Sequence, residues 1–302
     1  MSSPSHSRPS EATAPGFGLI IVGDEILSGK RADKHLPKVI ELLAARGLSL
    51  SWAEYVGDDP VRITATLRRA FAGPDIVFST GGIGATPDDH TRQCAAAALG
   101  LPLQLHPGAE ALIRERMQDV AREQGTTYEP DRPDNIHRFN MGVFPQGAQL
   151  IPNPFNKIPG FYVTRPARDP SAPPGGSDAR QVGEGGGVYF VPGFPVMAWP
   201  MVEWVLDTQY AHLHRKSARL EKSVIVYGAM EAALTPLMEE VERLYPGVKV
   251  FSLPSVDHPV HGRHIELGVK GVPEATESAY AHLLQGLQSP DIQLGPEMVH
   301  NF

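Results

Sequence analysis

The sequence DIVFSTGGIGATPDDHT, residues 75–91, decides the fold class of this chain. It begins with the short apolar run of a buried strand, passes through three glycines and two aspartates, and ends at a helix start. Glycines let the backbone approach a ligand closely, and the amides of a helix start attract anions. Two aspartates beside an anion are unfavourable unless a cation lies between them. One interpretation is therefore a loop that binds a phosphate and a divalent cation, and the other is a tight turn whose aspartates cap the helix.

Strands and helices alternate along the sequence before this stretch. The predicted elements are a buried strand at residues 17–23, a helix at 31–46, a strand at 48–55 and a helix opened by Asp59 and Pro60. This alternation predicts a parallel sheet covered by helices on both faces. Such sheets bind ligands beyond the carboxyl ends of their strands. The loops that begin at Gly23, Gly57 and Gly81 should therefore meet along one edge.

The 302 residues are enough for one large domain or two smaller ones. The predicted organisation is a disordered tail at 1–15, a large domain at 16–210, a connector at 211–222, a small α/β lobe at 223–290 and a tail at 291–302. Within the large domain, residues 166–187 are rich in Pro, Gly, Ala and Ser and predict a flexible loop.

The composition narrows the classes of partner. The net charge is −7 and the pI is about 5.9, without a concentrated run of Lys or Arg, so we expect no binding to nucleic acid. No apolar run approaches the roughly 20 residues that span a membrane. Cys94 is the only cysteine, which excludes an intramolecular disulfide and fits a cytoplasmic location. We therefore expect a cytoplasmic protein with a small-molecule ligand.

Acidic residues follow three of the predicted strands. Asp24 follows the first strand, Asp58 and Asp59 follow the second, and Asp88 and Asp89 follow the third. Each carboxylate could simply cap a helix, and for Asp59 we favour that interpretation. Three acidic loops at one edge of a sheet nevertheless favour a functional site.

In this order the segments GDEILSG, VGDD, STGGIGATPDDHT and VPGFP resemble the molybdopterin-binding domain family. The similarity covers about residues 17–210 and is closest to the N-terminal domain of the competence/damage-inducible protein A group. The resemblance implies a three-layer α/β sandwich with a mostly parallel sheet, which binds a pterin or nucleotide pyrophosphate. It also implies a homo-oligomer, and it relates the second lobe to the C-terminal part of the same module.

The resemblance also implies which residues form the site. The predicted catalytic residues are Asp58, Asp88 and Asp89, the last two also as ligands of a divalent metal, Mg²⁺ or Co²⁺. The predicted ligand-binding residues are Asp24, Ser28, Gly81, Gly82, Gly84, Thr86, Asn156, Lys157 and Gly193. Lys157 has two interpretations, as a phosphate partner or as an ordinary surface lysine. The sequence departs from the family at Ala85, where proline is frequent.

The function favoured by these features is metal-dependent hydrolysis of a dinucleotide such as ADP-ribose or FAD. One alternative is a molybdenum-cofactor biosynthesis protein that binds or adenylylates molybdopterin. Another is a pterin- or nucleotide-binding protein without catalytic activity. The three remain open because each needs the same anion pocket. Outside these motifs, His258, His261 and His264 predict a polar loop before a strand, with metal binding as the less favoured interpretation.

Overall fold

A computed structural model describes residues 15–164, 186–214 and 219–301. These residues divide into two compact units, which are described separately. The first comprises the residues up to Leu43 together with Ser49–His212, and the second comprises Ala44–Leu48 together with the residues from Leu213 onward. The tail predicted at 1–15 and the loop predicted at 166–187 lie almost wholly outside the described residues. Of that loop, Gly187 already belongs to a strand.

The first unit is built around a six-stranded sheet. Its elements are β1 (Phe17–Val22), α1 (Asp24–Leu27), α2 (His35–Ala44), β2 (Leu50–Val56), α3 (Pro60–Ala72), β3 (Ile76–Thr80), α4 (Thr91–Leu99), β4 (Leu103–Leu105), α5 (Pro107–Glu123), α6 (Pro133–Arg138), β5 (Val143–Pro145), β6 (Gln149–Ile151), β7 (Gly160–Thr164), β8 (Gly187–Val191) and α7 (Pro195–Gln209). The strand order is β2–β1–β3–β8–β7–β6. The first four strands are parallel, and β7 runs antiparallel to both β8 and β6. The mostly parallel α/β sheet predicted from the sequence is confirmed.

Apolar side chains on both faces of this sheet are buried, as a three-layer sandwich requires. On one face, Ile20 packs in a single cluster with Leu67 of α3 and Cys94 of α4. Side chains alternate along a strand, so Leu19 and its neighbour Phe78 lie on the opposite face, where both are fully buried. Cys94 is buried as a free thiol, in agreement with its place in an alanine-rich helix.

Aromatic rings continue both faces across the antiparallel part of the sheet. Phe161 stacks between Phe144 and Phe190, with ring centroids 4.5 Å and 4.4 Å away. Tyr162 and Tyr189 stack on the other face, with centroids 5.0 Å apart. Stacked rings add to the stabilisation that comes from burying their area. They therefore help to fix the pairing of β7 with β8.

Asp75 fastens the edge of the sheet at which the parallel strands begin. Its Oδ1 accepts a hydrogen bond from the backbone amide of Gly16 at 3.0 Å, just before β1. Its Oδ2 accepts one from the indole Nε1 of Trp52 in β2 at 2.8 Å. The Trp52 ring lies against Gly18, where no Cβ would fit. One carboxylate that precedes β3 thus connects the beginnings of three parallel strands.

The second unit is a four-stranded antiparallel sheet with two helices. Its elements are β9 (Leu220–Tyr227), α8 (Glu231–Leu244), β10 (Lys249–His258), β11 (Gly262–Gly271), α9 (Pro273–Gly286) and β12 (Gln293–Asn301). The strand order is β10–β11–β9–β12. Val224 and Leu267 of the sheet pack with Leu234 of α8 and Leu283 of α9. The chain therefore carries an additional small α/β lobe, as predicted.

The prediction of a tail at residues 291–302 is wrong, because most of this segment is strand β12. This strand pairs antiparallel with β9, from Gln293 opposite Tyr227 onward. In the sequence, Gly295 and Pro296 suggest that no strand continues through them. In the structure they lie where the register of β12 shifts, between Leu294 and Glu297. Proline is tolerated there because β12 is an edge strand. Likewise, β9 begins at Leu220, within the predicted connector.

The helices offer no membrane-spanning segment. Within the described ranges, none of them combines the length and the apolar character that crossing a bilayer requires.

Candidate functional site

A cavity of about 730 Å³ lies in the first unit, at the edge where the parallel strands end. Gly23 follows β1, Asp58 follows β2, Gly81 follows β3 and Pro192 follows β8, and all four line the cavity. Most of the predicted site residues meet there: Asp58, Gly81, Gly82, Gly84, Thr86, Asp88, Asp89, Asn156 and Gly193. The volume is within the range typical of ligand pockets. The convergence follows from the sheet, because parallel strands present their carboxyl ends to one edge.

The glycine loop after β3 has a backbone that other residues would strain to adopt. Gly81 has a φ of 95° and Gly82 a φ of 67°. A Cβ on Gly81 would collide with the carbonyl oxygen of Val22, and one on Gly82 with the hydroxyl of Thr91. The loop is held between β1 and α4, since the Thr91 hydroxyl donates to the Gly81 carbonyl at 3.1 Å and the Thr91 amide to the Gly82 carbonyl at 3.0 Å. Glycine is therefore required at both positions.

The amides of this loop differ in their availability to an anion. The amide of Gly81 donates to the carbonyl of Val191 at 3.1 Å, so it belongs to the sheet rather than to a phosphate site. The amides of Gly82, Ile83 and Gly84 have no hydrogen-bond acceptor within the described part of the chain. All three residues line the cavity. Of the amides of Gly81–Gly84, which were expected to bind an anion, the last three are therefore available for it.

Asp89 organises the loop that follows. The backbone amide of Thr86 donates to Asp89 Oδ2 at 2.8 Å, and the Thr86 hydroxyl donates to the same oxygen. The Asp89 amide donates back to the Thr86 carbonyl at 3.0 Å. One oxygen of this carboxylate is therefore occupied by its own loop. The neighbouring Asp88 is exposed at the cavity wall. A hydrogen bond from the Thr86 side chain lowers the pKa of the Asp88 carboxyl, and one from its own backbone lowers it further.

Arg92 also stabilises this loop, and the sequence did not predict it as a site residue. It is only 4% exposed, and its Nη2 donates to the Gly84 carbonyl at 2.6 Å. Burial lowers the pKa of its guanidinium, and the nearby Asp89 carboxylate raises it. Arg92 stands in the first turn of α4, where a buried arginine is unexpected unless it is paired. The sequence signal that could have identified Arg92 is its place in the first turn of α4, directly after the loop of glycines and aspartates.

Asp58 lies among other carboxylates. Burial raises its pKa, and the charges of Asp24, Glu25 and Asp88 raise it further, although a hydrogen bond from the Asp24 backbone lowers it. Asp24 does not line the large cavity. Its carboxylate accepts a hydrogen bond from the Asp58 amide instead. Asp24 is therefore a residue that positions Asp58, rather than one that reaches a ligand in the cavity.

Two predicted site residues lie elsewhere, which corrects the sequence-based assignment. Ser28 is exposed at the end of α1 and does not line the cavity. Lys157 also lies outside the lining, and its Nζ is 2.6 Å from both Glu115 and Asp119 of α5. Hydrogen bonds to Asp119 and to Glu115 raise the pKa of the Lys157 ammonium. In this structure Lys157 fastens its loop to α5 and does not face a phosphate site.

The segment after β6 contributes Asn156 to the cavity wall. Asn153, which is buried, donates to Asn156 Oδ1 at 2.8 Å and to the Ile158 carbonyl at 2.9 Å. Asn156 Oδ1 also accepts from the Ile158 amide at 3.1 Å. The two asparagines thus maintain the shape of this loop with their side chains.

Two basic residues of the cavity wall were also missed. Lys30 and Arg31 line it, directly after Gly29 in the loop that follows α1. The sequence signal was present, since both belong to the same GDEILSGKR segment as Asp24. They bring positive charge to a wall that also carries Asp58 and Asp88. The cavity therefore combines basic groups and free amides with a patch of carboxylates.

No group of three or more His, Cys, Asp or Glu side chains is arranged to hold a metal ion in the described residues. The rings of His258, His261 and His264 pack together in the second unit, with centroids 5.0–5.6 Å apart. The Nδ1 atom of His258 accepts from the amides of Val260 and His261. His258 ends β10, His261 lies in the turn and His264 lies within β11, so the predicted polar loop is a hairpin between two strands.

Comparison with known proteins identifies the family to which this chain belongs. The family model described as "Probable molybdopterin binding domain" matches residues 18–212. A CinA-like protein of Anaeromyxobacter dehalogenans (strain 2CP-C) is 31% identical over 225 residues, which are 74% of this chain and 48% of that protein. This chain therefore spans about half the length of that relative. A protein of Caldivirga maquilingensis is 30% identical over 262 residues, 85% of this chain and 88% of that protein.

Among solved structures, the protein CinA with unknown function from Thermoplasma acidophilum is similar over 64% of this chain and 97% of its own. The identity is 23% and the TM-score is 0.49. The family match covers the six-stranded sheet apart from Phe17, and it covers every residue of the cavity wall. The chain belongs to the molybdopterin-binding domain family and is similar to CinA-like proteins.

Proposed function

We propose that this chain hydrolyses the pyrophosphate of a dinucleotide, such as ADP-ribose or FAD, with the help of a divalent cation. The observation that carries the proposal is the composition of the 730 Å³ cavity. Its wall contains the free amides of the glycine loop and two basic residues together with the carboxylates of Asp58 and Asp88. A pyrophosphate needs the first set of groups, and a cation bound to that pyrophosphate needs the second.

The carboxylates fit a divalent cation such as Mg²⁺ or Co²⁺. Mg²⁺ usually binds through one or two carboxylates and completes its shell with substrate phosphates and water, so a cluster of three acidic ligands is not required. The like charges that raise the pKa of Asp58 would be offset by a cation that the Asp58 and Asp88 carboxylates would bind. Asp89 would offer the cation its other oxygen, because the amide and the hydroxyl of Thr86 both donate to Oδ2. When bound, the cation would neutralise the pyrophosphate and polarise a phosphorus centre.

The residues of the chain itself would perform the remaining tasks. The amides of Gly82, Ile83 and Gly84 would hold the charged phosphate oxygens. Asp58, fixed by Asp24, would orient a water molecule and accept its proton. As the water oxygen bonds to phosphorus, the bond to the bridging oxygen would break. The products would be two phosphate monoesters.

A phosphate-release assay tests this proposal. The purified chain would be given ADP-ribose, FAD or NAD, each with Mg²⁺, Co²⁺ or EDTA, together with a phosphatase that attacks only the monoester products. We expect release that depends on the metal and is lost in Asp88→Asn and Asp58→Asn. Asp59→Asn is the matched control, because Asp59 caps α3 and asparagine also caps helices. Absence of release from all three substrates would refute the assignment.

A second candidate is adenylylation or binding of molybdopterin, which is favoured by the description of the matching family. It would use the same amides and carboxylates. Consumption of ATP only when molybdopterin is present would identify the transferase. Molybdopterin binding without ATP consumption or phosphate release would identify a binding protein. The homo-oligomer that the resemblance implies stays a prediction, which light scattering after size exclusion would test.

A further inference from the structure

The carbonyl groups of the glycine loop are held by the first two residues of α4. The Thr91 hydroxyl donates to the Gly81 carbonyl at 3.1 Å, and the Thr91 amide donates to the Gly82 carbonyl at 3.0 Å. Arg92 Nη2 donates to the Gly84 carbonyl at 2.6 Å. Neither Thr91 nor Arg92 lines the 730 Å³ cavity. Three carbonyls of the loop therefore point toward the start of α4 rather than into the cavity.

The amides of the loop take the opposite direction. A peptide group is planar and trans, so its N–H points away from its own C=O. Each carbonyl held by α4 shares a peptide group with the amide of the next residue, and the three amides concerned are those of Gly82, Ile83 and Ala85. All three residues line the cavity, and none of the amides has an acceptor among the described residues. Ala85 thus adds a fourth free amide to the glycine loop.

The guanidinium of Arg92 is poorly paired for a buried charge. The residue is 4% exposed, yet its five N–H donors form one hydrogen bond within the described part of the chain, the one to the Gly84 carbonyl. No carboxylate of these residues accepts a hydrogen bond from it or forms an ion pair with it. A buried charge without a paired carboxylate is unfavourable for folding. Exceptions of this kind are typical of functional sites.

We propose that Arg92 is a positioning residue for the pyrophosphate site, because it turns the Ala85 amide toward the anion in the large cavity. Its bond to the Gly84 carbonyl fixes the Gly84–Ala85 peptide group, although Ala85 itself is exposed. Its buried charge also favours an anion on the other side of the loop, since charges interact strongly where water is excluded. This inference rests on the proposed function for the identity of the anion.

The amide protons themselves provide the test. An amide proton that donates to a phosphate oxygen moves downfield in the NMR spectrum. The probe is inorganic pyrophosphate, added to the isotope-labelled full chain, and we expect the amides of Ile83 and Ala85 both to move downfield in the wild type. In Arg92→Met the Ala85 shift should be lost. The Ile83 shift should remain, because Thr91 holds the peptide group of Ile83.

Calorimetric titration with pyrophosphate measures the effect on affinity. Arg92→Met should weaken binding about tenfold, the effect of losing one hydrogen bond to a charged group. Arg92→Lys keeps a positive charge and a donor for the Gly84 carbonyl, so it should restore most of the affinity and the Ala85 shift.

The matched control is Arg62→Met, which removes an arginine from the first turn of α3. The Arg62 side chain is 79% exposed, and the residue does not line the large cavity. This variant should bind pyrophosphate as the wild type does, because an exposed charge is screened by water and salt.

Added guanidinium distinguishes a missing group from a damaged fold. A cavity of about 380 Å³, lined by Arg92, His137 and Asn140 among others, lies beside the loop. It should admit the ion to the space that Arg92→Ala opens. Millimolar guanidinium chloride should then recover part of the pyrophosphate affinity of Arg92→Ala, whereas the same concentration of sodium chloride should not.

The inference and the proposed function fail in different ways. If Ala85 does not shift in the wild type, or if folded Arg92→Met binds pyrophosphate as tightly as the wild type, Arg92 does not position this site, even if the chain hydrolyses dinucleotides. If neither Arg92→Lys nor guanidinium restores binding, the role of Arg92 is structural only and the inference is refuted. If the Ala85 shift depends on Arg92 but no dinucleotide releases phosphate, the positioned anion site stands and the hydrolase assignment falls.

Discussion

Asp24 and Asp58 hold each other through reciprocal hydrogen bonds to their backbone amides. The Asp24 amide donates to Asp58 Oδ2 at 2.9 Å, and the Asp58 amide donates to Asp24 Oδ1 at 3.1 Å. The pair connects the loops that follow β1 and β2, which are neighbouring parallel strands. It fixes the Asp58 carboxylate at the cavity wall, while Asp24 itself stays outside the lining.

Asp24→Ala should lower kcat for the dinucleotide about tenfold or more, because a small displacement of a catalytic group is costly. KM should change little, since Asp24 does not line the large cavity. Asp24→Asn keeps an oxygen that can accept from the Asp58 amide and should retain most of the activity. Steady-state kinetics on the three proteins provide the comparison. Equal loss in both variants would mean that the charge of Asp24, rather than its hydrogen bond, matters.

Asp58→Asn should make the protein more stable at neutral pH while abolishing turnover. The pKa of Asp58 is raised on folding, so the folded state binds this proton more tightly than the unfolded state does. Stability is therefore lost as the pH rises through this raised pKa. The gain in the variant should be below about 1 kcal/mol, because Asp58 is partly exposed. Thermal unfolding between pH 3 and 7 should show it growing with pH, and a variant less stable than wild type at pH 7 would contradict the argument.

Asp59 should matter for stability and not for chemistry, although it is adjacent to Asp58. Its Oδ1 accepts from the amides of Val61 and Arg62, as the N-cap of α3. Asp59→Ala should cost about 1 kcal/mol of unfolding free energy. Phosphate release per folded molecule should not change. Urea unfolding and the release assay on the same preparation separate these effects, and a selective loss of turnover would place Asp59 in the site.

Gly81→Ala should destabilise the protein by about 3 kcal/mol or more. Its φ is positive, and the added methyl group would meet the Val22 carbonyl oxygen. Gly100→Ala is the control, because Gly100 has a φ of 68° but open space around it. That variant should lose only about 1 kcal/mol, the cost of the left-handed backbone alone. Equal losses in urea unfolding would show that the contact with β1 is unimportant.

Lys157→Met should leave pyrophosphate binding unchanged, because its ammonium pairs with Glu115 and Asp119. Lys30→Met makes the same substitution at the cavity wall and should weaken binding about tenfold. Calorimetric titration with pyrophosphate compares the two. The opposite ranking would restore Lys157 as the phosphate partner and would require its loop to move.

The sequence was informative where backbone geometry determines the outcome. Apolar runs that end in glycine identified the parallel strands, and their polarity brought Asp58, Gly82 and Asp88 to one edge. The sequence did not identify strands whose pairing with a neighbouring strand is short or interrupted. β4 and β5 have three residues each, and β12 contains a proline at its register shift, so none of them has a clear strand pattern.

The sequence also could not reveal which side chains contact each other in the folded chain. The sequence could not show that Lys157 meets two acids located 42 and 38 residues away. Nor could it show that His35 Nδ1 and Thr80 Oγ1 are buried without a hydrogen-bond partner among the described residues, because both facts depend on tertiary packing. Adenine, pterin and pyrophosphate sites draw on the same kinds of residue, so local motifs could not separate them.

The hydrogen bonds of Asp75 stabilise one end of the sheet, whereas the cavity lies at the other end. The residues that the fold requires are therefore separate from those that the proposed reaction requires. Gly16, Trp52 and Asp75 meet at the end of the sheet opposite the cavity. In a library scored for both cellular abundance and catalysis, changes at Trp52 or Asp75 should deplete the protein itself. Changes at Asp88 should leave it abundant and inert. The cavity loops could then be redesigned for other ligands while the far end is left untouched.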